Sequence, residues 1–118
     1  MLRIYNSLAH KVEDFKPLNG NQVGMYTCGP TPYDYQHIGN FRTMIFSDLV
    51  YRTLKYNGYS VKSVSNITDV DDKIIKKAKE TNQSISEVTN EYIQIFFEDL
   101  RKLNIIPSDV SPKATEHI

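Results

Sequence analysis

The feature that most constrains the fold is a β-prone run followed by a proline-rich loop and a long helical pattern. Residues 23–29 are compact and apolar, and Pro30 and Pro32 follow them, which predicts a buried strand and then a non-helical loop. From about residue 39 to the Asn57-Gly58 stop signal, apolar residues recur at four-residue steps, which predicts the strongest helix of the chain. The steps form two series: Phe41, Ile45, Leu49 and Phe46, Val50, Leu54.

A second β-prone segment follows this helix and determines how the two strands are arranged. Its β-branched and aromatic positions are Tyr59, Val61, Val64 and Ile67. A helix that connects two strands of one sheet makes them parallel, and the crossover is right-handed. We therefore predict an α/β fold that corresponds to half of a doubly wound sheet.

The residues before the first predicted core strand add no second domain. Residues 2–6 predict a short edge strand. Residues 7–22 are polar and contain a proline and an Asn-Gly turn pair, so we predict a loop there. Since the chain has no internal repeats and no linker, we interpret residues 1–118 as one domain.

Two helices are predicted after the second strand. Residues 71–79 begin with acids and end with bases, which matches the dipole of a short helix. A longer helix extends to about residue 103, with Ser84 or Ser86 as its N-cap. We interpret the acids Asp69, Asp71 and Asp72 as capping and dipole-compensating residues, and the following basic cluster as a solvated helix face. The basic cluster comprises Lys73, Lys76, Lys77 and Lys79.

Composition excludes several classes of protein. With 40% apolar and 24% charged residues, the chain has the composition of an ordinary globular domain. Fourteen basic and fourteen acidic residues leave no net charge, so the global positive charge of a dedicated nucleic-acid binder is missing. The chain has no signal-peptide pattern and no membrane span of about 18 apolar residues, so we expect a cytoplasmic protein and no membrane partner.

The tetrad His37-Ile38-Gly39-Asn40 is the first candidate site. It follows a predicted strand and opens a predicted helix, which is where α/β sheets bind nucleotides. His37 and Asn40 can donate hydrogen bonds to phosphate oxygens, while Gly39 allows a ligand close to the backbone. A turn followed by a helix cap is the alternative interpretation. The pattern indicates chemistry on a polyphosphate without a covalent enzyme intermediate.

The single cysteine, Cys28, is the second candidate. It is either a buried apolar residue, a reactive thiol or one metal ligand, because it cannot form an internal disulfide. Thr68 ends the second predicted strand, and the ends of parallel strands meet at one edge of a sheet. We therefore expect Cys28, Thr68 and His37 to surround a shared pocket, although a threonine at this place is also typical of a helix cap.

Three motifs in order carry a resemblance to a known family. They are the segments 25–34 (Met-Tyr-Thr-Cys-Gly-Pro-Thr-Pro-Tyr-Asp), 37–40 (His-Ile-Gly-Asn) and 66–74 (Asn-Ile-Thr-Asp-Val-Asp-Asp-Lys-Ile). Together they resemble the N-terminal part of the cysteinyl-tRNA synthetase family. Phe15-Lys16-Pro17 and residues 112–115 extend the resemblance almost from end to end.

The resemblance implies a fold and a set of site residues. The fold is the N-terminal half of a Rossmann-type class I synthetase domain. ATP, with Mg²⁺, would bind at the His-Ile-Gly-His signature, which maps to residues 37–40 and is preceded by Pro30 and Thr31. Cys28 would be the first of four Zn²⁺ ligands, and the metal would hold the thiolate of substrate cysteine beside Gly29 and Thr68. His37 and Asn40 would be the catalytic pair.

The resemblance also implies a reaction and its partners. L-cysteine would be activated by ATP to cysteinyl-adenylate and transferred to tRNA(Cys). A cysteine ligase of mycothiol synthesis, or a nucleotide-binding module without catalysis, are the alternatives. Asn40 replaces the second signature histidine and cannot carry a positive charge. Because the other Zn²⁺ ligands and the later lysine-rich signature have no counterpart, we expect a fragment that is inactive alone.

Overall fold

The computed structural model describes residues 2–118 and begins with a β-hairpin. Strand β1 (Arg3–Asn6) pairs antiparallel with β2 (Lys11–Asp14). The predicted edge strand is confirmed, but the prediction that residues 7–22 form only a loop is wrong, because they contain β2. Strand β2 is polar and mostly exposed, so its sequence lacks the apolar alternation that indicates a strand. The ring of Phe15 packs edge-on against Tyr59, with 5.5 Å between centroids.

A parallel pair of strands forms the centre of the fold. Strand β3 (Gln22–Thr27) pairs with β4 (Ser60–Ser65). Helix α1 (Ile38–Tyr56) is the crossover between them, which confirms the predicted strand–helix–strand unit. Val23, Met25 and Thr27 are half-buried, whereas the alternate residues of β3 are exposed. One face of the sheet is therefore covered and the other is open.

The C-terminal segment 109–114 adds to this sheet in a way that the sequence did not predict. Val64 bridges Val110, and Ile67 bridges Lys113, both in parallel orientation. The carboxylate of Asp109 accepts hydrogen bonds from Ser63 N–H (2.6 Å) and the Ser63 hydroxyl (3.0 Å). These bonds lower the pKa of Asp109. Strand β4 therefore lies between β3 and the C-terminal segment.

The two later helices confirm their predicted positions. Helix α2 (Asp72–Thr81) has Asp71 as its N-cap and Asn82 as its C-cap, and Asn82 has a left-handed φ of 54°. Helix α3 (Ile85–Lys102) is capped by Ser84, not Ser86. Asp71, not Thr68, caps the helix that follows β4, so the helix-cap interpretation of Thr68 is wrong.

The core lies between α1 and α3. Its buried cluster consists of Phe41, Phe96, Leu100 and Ile105, with Met44 packed against it. The rings of Phe41 and Phe96 stack at 6.2 Å. Only part of the apolar pattern of α1 is used in this way, because Ile45, Phe46 and Leu49 are exposed. Among residues 2–118, no helix has the combination of length and hydropathy needed to cross a membrane.

Candidate functional site

The ends of the two parallel strands are joined by the side chain of Asn66. Its amide oxygen accepts a hydrogen bond from Gly29 N–H (2.9 Å), and its amide nitrogen donates to the Thr68 hydroxyl (3.2 Å). Thr68 N–H in turn donates to the carbonyl oxygen of Pro30 (3.0 Å). The residues after β3 and those after β4 therefore form one hydrogen-bonded edge, as expected for neighbouring parallel strands.

Gly29 is required at this edge for steric reasons. A Cβ atom at residue 29 would lie 1.6 Å from the carbonyl oxygen of Asn66, which is impossible without movement of the backbone. Asn66 was not singled out as a site residue in the sequence analysis, although it lies inside the third motif. The signal that could have found it is a polar amide at the end of a strand, where backbone N–H groups of the adjacent loop need acceptors.

An open cleft of about 250 Å³ lies beside this edge, in front of the N-terminus of α1. Its lining comes from the loop after β3, the start of α1 and the first turn of α2. The lining residues are Gly29, Pro30, Thr31, Tyr33, Asp34, Tyr35, Gln36, His37, Asn40 and Lys73.

The predicted site residues divide into two groups around this cleft. Five of them line it: Gly29, Pro30, Thr31, His37 and Asn40. The other four are outside its lining: Cys28, Ile38, Gly39 and Thr68. Cys28 is exposed and immediately precedes Gly29, and Thr68 is linked to Pro30 by the backbone bond described above. Of the three residues expected around a shared pocket, His37 therefore lines the cleft, whereas Cys28 and Thr68 lie at the strand edge outside its lining.

His37 is the N-cap of α1, and this role determines which of its ring nitrogens faces outward. Nδ1 accepts a hydrogen bond from Gly39 N–H (3.0 Å), so Nδ1 is unprotonated in this arrangement. Nε2 is then the nitrogen that carries hydrogen, and it is free to donate. The backbone N–H of Asn40 donates to the carbonyl oxygen of His37 (3.0 Å). Most N–H groups of the first turn are therefore used within the helix.

Gly39 is needed for this cap. A Cβ atom at residue 39 would lie 2.8 Å from Cε1 and 3.0 Å from Nδ1 of His37. We expected Gly39 to allow the close approach of a ligand, and the structure provides a second reason for a glycine, within the chain itself. The small residue lets the imidazole fold back over the helix N-terminus.

A chain of amides holds the loop against α1. The side-chain amide of Asn40 donates to Oε1 of Gln36. Gln36 Nε2 donates to the carbonyl oxygens of Asp34 (3.3 Å) and Thr31 (3.4 Å). Asn40 therefore positions the loop through Gln36, a residue that no sequence motif indicated.

Electrostatics at the start of α1 differ from those of the other helices. The first turn of α1 contains no acidic residue, whereas α2 has Asp72 and α3 has Glu87. The positive end of the α1 dipole is therefore not neutralised by its own side chains, which favours a bound anion.

Asp69 has a structural role instead of the predicted dipole-compensating one. It is 6% exposed, and its carboxylate accepts hydrogen bonds from Thr115 N–H (3.0 Å) and the Thr115 hydroxyl (2.6 Å). Burial by itself raises the pKa of Asp69, but the hydrogen bonds from Thr115 outweigh it and lower the pKa overall. Asp69 thus binds Thr115 of the C-terminal segment and holds it next to Thr68.

The residues present do not by themselves form a zinc site. The Cys28 thiol is exposed and lies 3.8 Å from the carbonyl oxygen of Gly29. Within residues 2–118, no three or more His, Cys, Asp or Glu side chains are grouped so that they could hold a metal ion. Since structural and catalytic zinc sites need at least three protein ligands, Cys28 can supply only one of the ligands that such a site requires.

Comparison with known proteins identifies the family. Residues 14–118 match the family described as tRNA synthetases class I (C) catalytic domain. The cysteine–tRNA ligase of Brachyspira hyodysenteriae is 56% identical over 114 residues, which are 97% of this chain and 24% of that protein. The cysteine–tRNA ligase of Pyrococcus horikoshii is 50% identical over 117 residues, 99% of this chain and 25% of that protein.

The match to a third relative covers the entire chain. The cysteine–tRNA ligase of Erwinia tasmaniensis is 51% identical over 118 residues, which are 100% of this chain and 26% of that protein. The chain spans about a quarter of the length of the curated relatives it matches. The parallel strand–helix–strand unit agrees with the N-terminal half of a Rossmann-type domain, and the chain belongs to the class I (C) tRNA synthetase catalytic-domain family.

Proposed function

We propose that the protein containing this chain is a cysteine–tRNA ligase, and that this chain forms its ATP-binding edge. The proposal rests on one observation above all. The cleft that joins the loop after β3 to the N-terminus of α1 occurs in a chain 48–56% identical to cysteine–tRNA ligases over nearly its whole length. We place its activity in the cytoplasm, where it would meet ATP, L-cysteine and tRNA(Cys).

The proposed reaction has two steps. A carboxylate oxygen of L-cysteine bonds to the α-phosphorus of ATP, and the bond to the bridging oxygen breaks, so that pyrophosphate leaves with the electron pair. A hydroxyl of the tRNA 3′ end then attacks the carbonyl carbon of cysteinyl-adenylate, and AMP leaves. Neither step needs a covalent bond to the enzyme.

We assign ATP to the cleft in front of α1. His37 Nε2–H points away from the helix that Nδ1 caps, and so is available to donate to a phosphate oxygen. The un-neutralised N-terminus of α1 adds a positive potential that grows in importance as negative charge develops in the transition state. Pro30 and Thr31 also line the cleft, and Ile38 and Gly39 begin α1 beside it. Mg²⁺ would accompany the triphosphate.

Asn40 has a smaller part in this proposal than the second histidine of the signature. Its side-chain amide already donates to Gln36, so it acts mainly by positioning the loop. An amide is neutral and cannot supply the positive charge of an imidazolium. Asn40 therefore adds no positive charge for the phosphates.

We assign substrate cysteine to the strand edge formed by Cys28, Gly29 and Thr68. Asn66 holds Gly29 and Thr68 together, which fixes the shape of this edge. Cys28 would be one Zn²⁺ ligand, with the others supplied by the rest of the protein. A soft thiolate bonds zinc better than a hydroxyl does, so such a metal would distinguish cysteine from serine.

Amino-acid-dependent ATP–pyrophosphate exchange by the complete protein tests the proposal. We expect exchange with L-cysteine and charging of tRNA(Cys), and no exchange with serine. The Cys28→Ser variant should lose zinc and cysteine activation together, whereas the matched change Ser65→Ala, at the end of β4, should keep both. Exchange that needs no cysteine, or a Cys28→Ser variant with full zinc content, would contradict the respective assignments.

A further inference from the structure

Lys73, which we predicted to lie on a solvated helix face, is one of the residues that line the cleft. It lies in the first turn of α2, yet it lines the same cleft as His37 and Asn40. The other lysines of the basic cluster, Lys76, Lys77 and Lys79, are outside the lining of this cleft. One member of the cluster is therefore separated from the rest by its position.

The position of Lys73 is electrostatically unfavourable for the helix. A cation in the first turn opposes the positive end of the helix dipole, where acids are preferred. Asp71 supplies the N-cap by accepting from Lys73 N–H (2.9 Å), and this bond needs only the backbone of Lys73. Helix stability thus does not explain a lysine side chain at residue 73.

The ammonium group of Lys73 is held in place but not neutralised. Its Nζ lies 5.4 Å from the centroid of the Tyr33 ring, a cation–π contact with the cleft wall. Among residues 2–118 Lys73 forms no ion pair, whereas Lys76 on the same helix pairs with Glu80. Asp34 lines the cleft as well, and Asp71 and Asp72 precede Lys73 on its own element.

We propose that Lys73 binds the polyphosphate of ATP and supplies the positive charge that Asn40 lacks. This inference rests on the function proposed above. Apart from Lys73, no lysine or arginine in the described part of the chain lines the cleft, and most N–H groups of the first turn of α1 are used internally. The Tyr33 ring holds the ammonium group of Lys73 at the cleft wall, and the three N–H donors of that group form a point charge of the kind that binds phosphate.

ATP–pyrophosphate exchange by the complete protein, in the presence of L-cysteine, tests this residue. We expect Lys73→Met to raise the KM for ATP about 10- to 100-fold, the usual size of a lost charge-assisted contact. The KM for cysteine should stay unchanged, and Lys73→Arg should restore most of the loss. The effect should shrink as salt is added, because salt screens an exposed charge.

Lys77→Met is the matched control. Lys77 lies on the same helix and makes the same kind of contact, with its Nζ 5.8 Å from the ring of Tyr92, but it is not part of the cleft. We expect the two methionine variants to have similar thermal stability, and only Lys73→Met to change the KM for ATP. Equal KM values for ATP in Lys73→Met and in the unchanged protein would overturn the inference.

The outcomes separate this inference from the proposed function. If the unchanged protein has no cysteine-dependent exchange, the proposed function fails, whatever Lys73 does. If the unchanged protein is active and Lys73→Met has normal exchange but a raised KM for tRNA, the residue contacts tRNA phosphates, and the assignment to ATP is overturned.

Discussion

The N-termini of α1 and α3 are both capped by a side-chain acceptor, but only α3 has an acidic residue in its first turn. In α3, the Ser84 hydroxyl accepts from Glu87 N–H (3.2 Å) and the Glu87 carboxylate accepts from Ser84 N–H (2.8 Å). In α1, an imidazole nitrogen of His37 accepts from Gly39 N–H, and Asn40 stands at the position equivalent to Glu87. Helix α3 therefore neutralises its own positive end, whereas the first turn of α1 contains no acid that would do so.

The largest expected effect is that of His37→Ser, which gives α1 the cap residue of α3. Serine retains an N-cap acceptor but removes the Nε2 donor. We expect cysteine-dependent ATP–pyrophosphate exchange to fall about 100- to 1,000-fold, the usual loss for one transition-state hydrogen-bond donor. Hydrogen exchange of the α1 amides should stay nearly unchanged. Normal exchange activity in this variant would remove the phosphate role of His37.

A somewhat smaller effect is expected from Asn40→Glu, which copies the acid of α3 into the first turn of α1. A carboxylate there should stabilise α1 by about 0.3–1 kcal/mol and should repel ATP. We expect the KM for ATP to rise about 100-fold, equivalent to about 2.7 kcal/mol. Asn40→Gln is the neutral control, and it should have a much smaller effect. If the two variants bind ATP equally well, the open end of α1 has no part in anion binding.

Ser84→Ala should have the reverse profile in α3. Loss of the N-cap hydroxyl should lower the stability of this helix by about 1 kcal/mol, which hydrogen exchange of the α3 amides would measure. The rate of ATP–pyrophosphate exchange should stay the same, because Ser84 lies outside the cleft. A clear loss of activity in Ser84→Ala would break the distinction between a stabilising cap and a functional one.

The smallest effect is the pH dependence of the two caps. Hydrogen bonds from the backbone N–H and the hydroxyl of Ser84 lower the pKa of Glu87. A carboxylate with a lowered pKa in the folded state stabilises above its ordinary pKa of about 4.3, and this contribution is lost as the pH falls through the lowered value. The cap of α1 has no carboxylate and should not respond in this range.

The chemical shift of the Glu87 carboxyl group, followed as the pH is changed, measures the pKa of this residue. The pKa of Glu87 should lie below the usual range in the unchanged protein and should rise toward it in Ser84→Ala. An equal pKa in both proteins would show that the hydrogen bonds of the capping box do not stabilise the Glu87 carboxylate.

Local patterns predicted much of the fold. The strand before Pro30, the helix that ends near Asn57 and the two later helices all appear at the predicted places, because periodicity and caps are properties of neighbouring residues. The parallel pairing of β3 and β4 could also be predicted, because two neighbouring strands joined by a helical crossover run parallel.

The errors concern segments that are extended because they pair with another strand. Strand β2 is polar, and segment 109–114 contains Pro112, so neither has a local strand signal. Strand β2 is held by its hairpin partner β1, and the C-terminal segment is held by β4, which is distant in the sequence. Asn66 and Gln36 were overlooked as site residues because an amide side chain has no periodic signature, and its role depends on which loop lies next to it.

The central strand–helix–strand unit, the two later helices, the candidate motif at residues 37–40 and the family could all be recognised from the sequence, because each is encoded in residue types at short spacing. Only the tertiary structure decided that His37 caps α1 through Nδ1, that Cys28 and Thr68 lie outside the cleft, and that Lys73 enters it. The physical reason is that hydrogen-bond partners and cleft walls come from segments brought together by packing of the sheet and helices. Spacing along a single chain cannot encode which nitrogen of a ring faces a ligand.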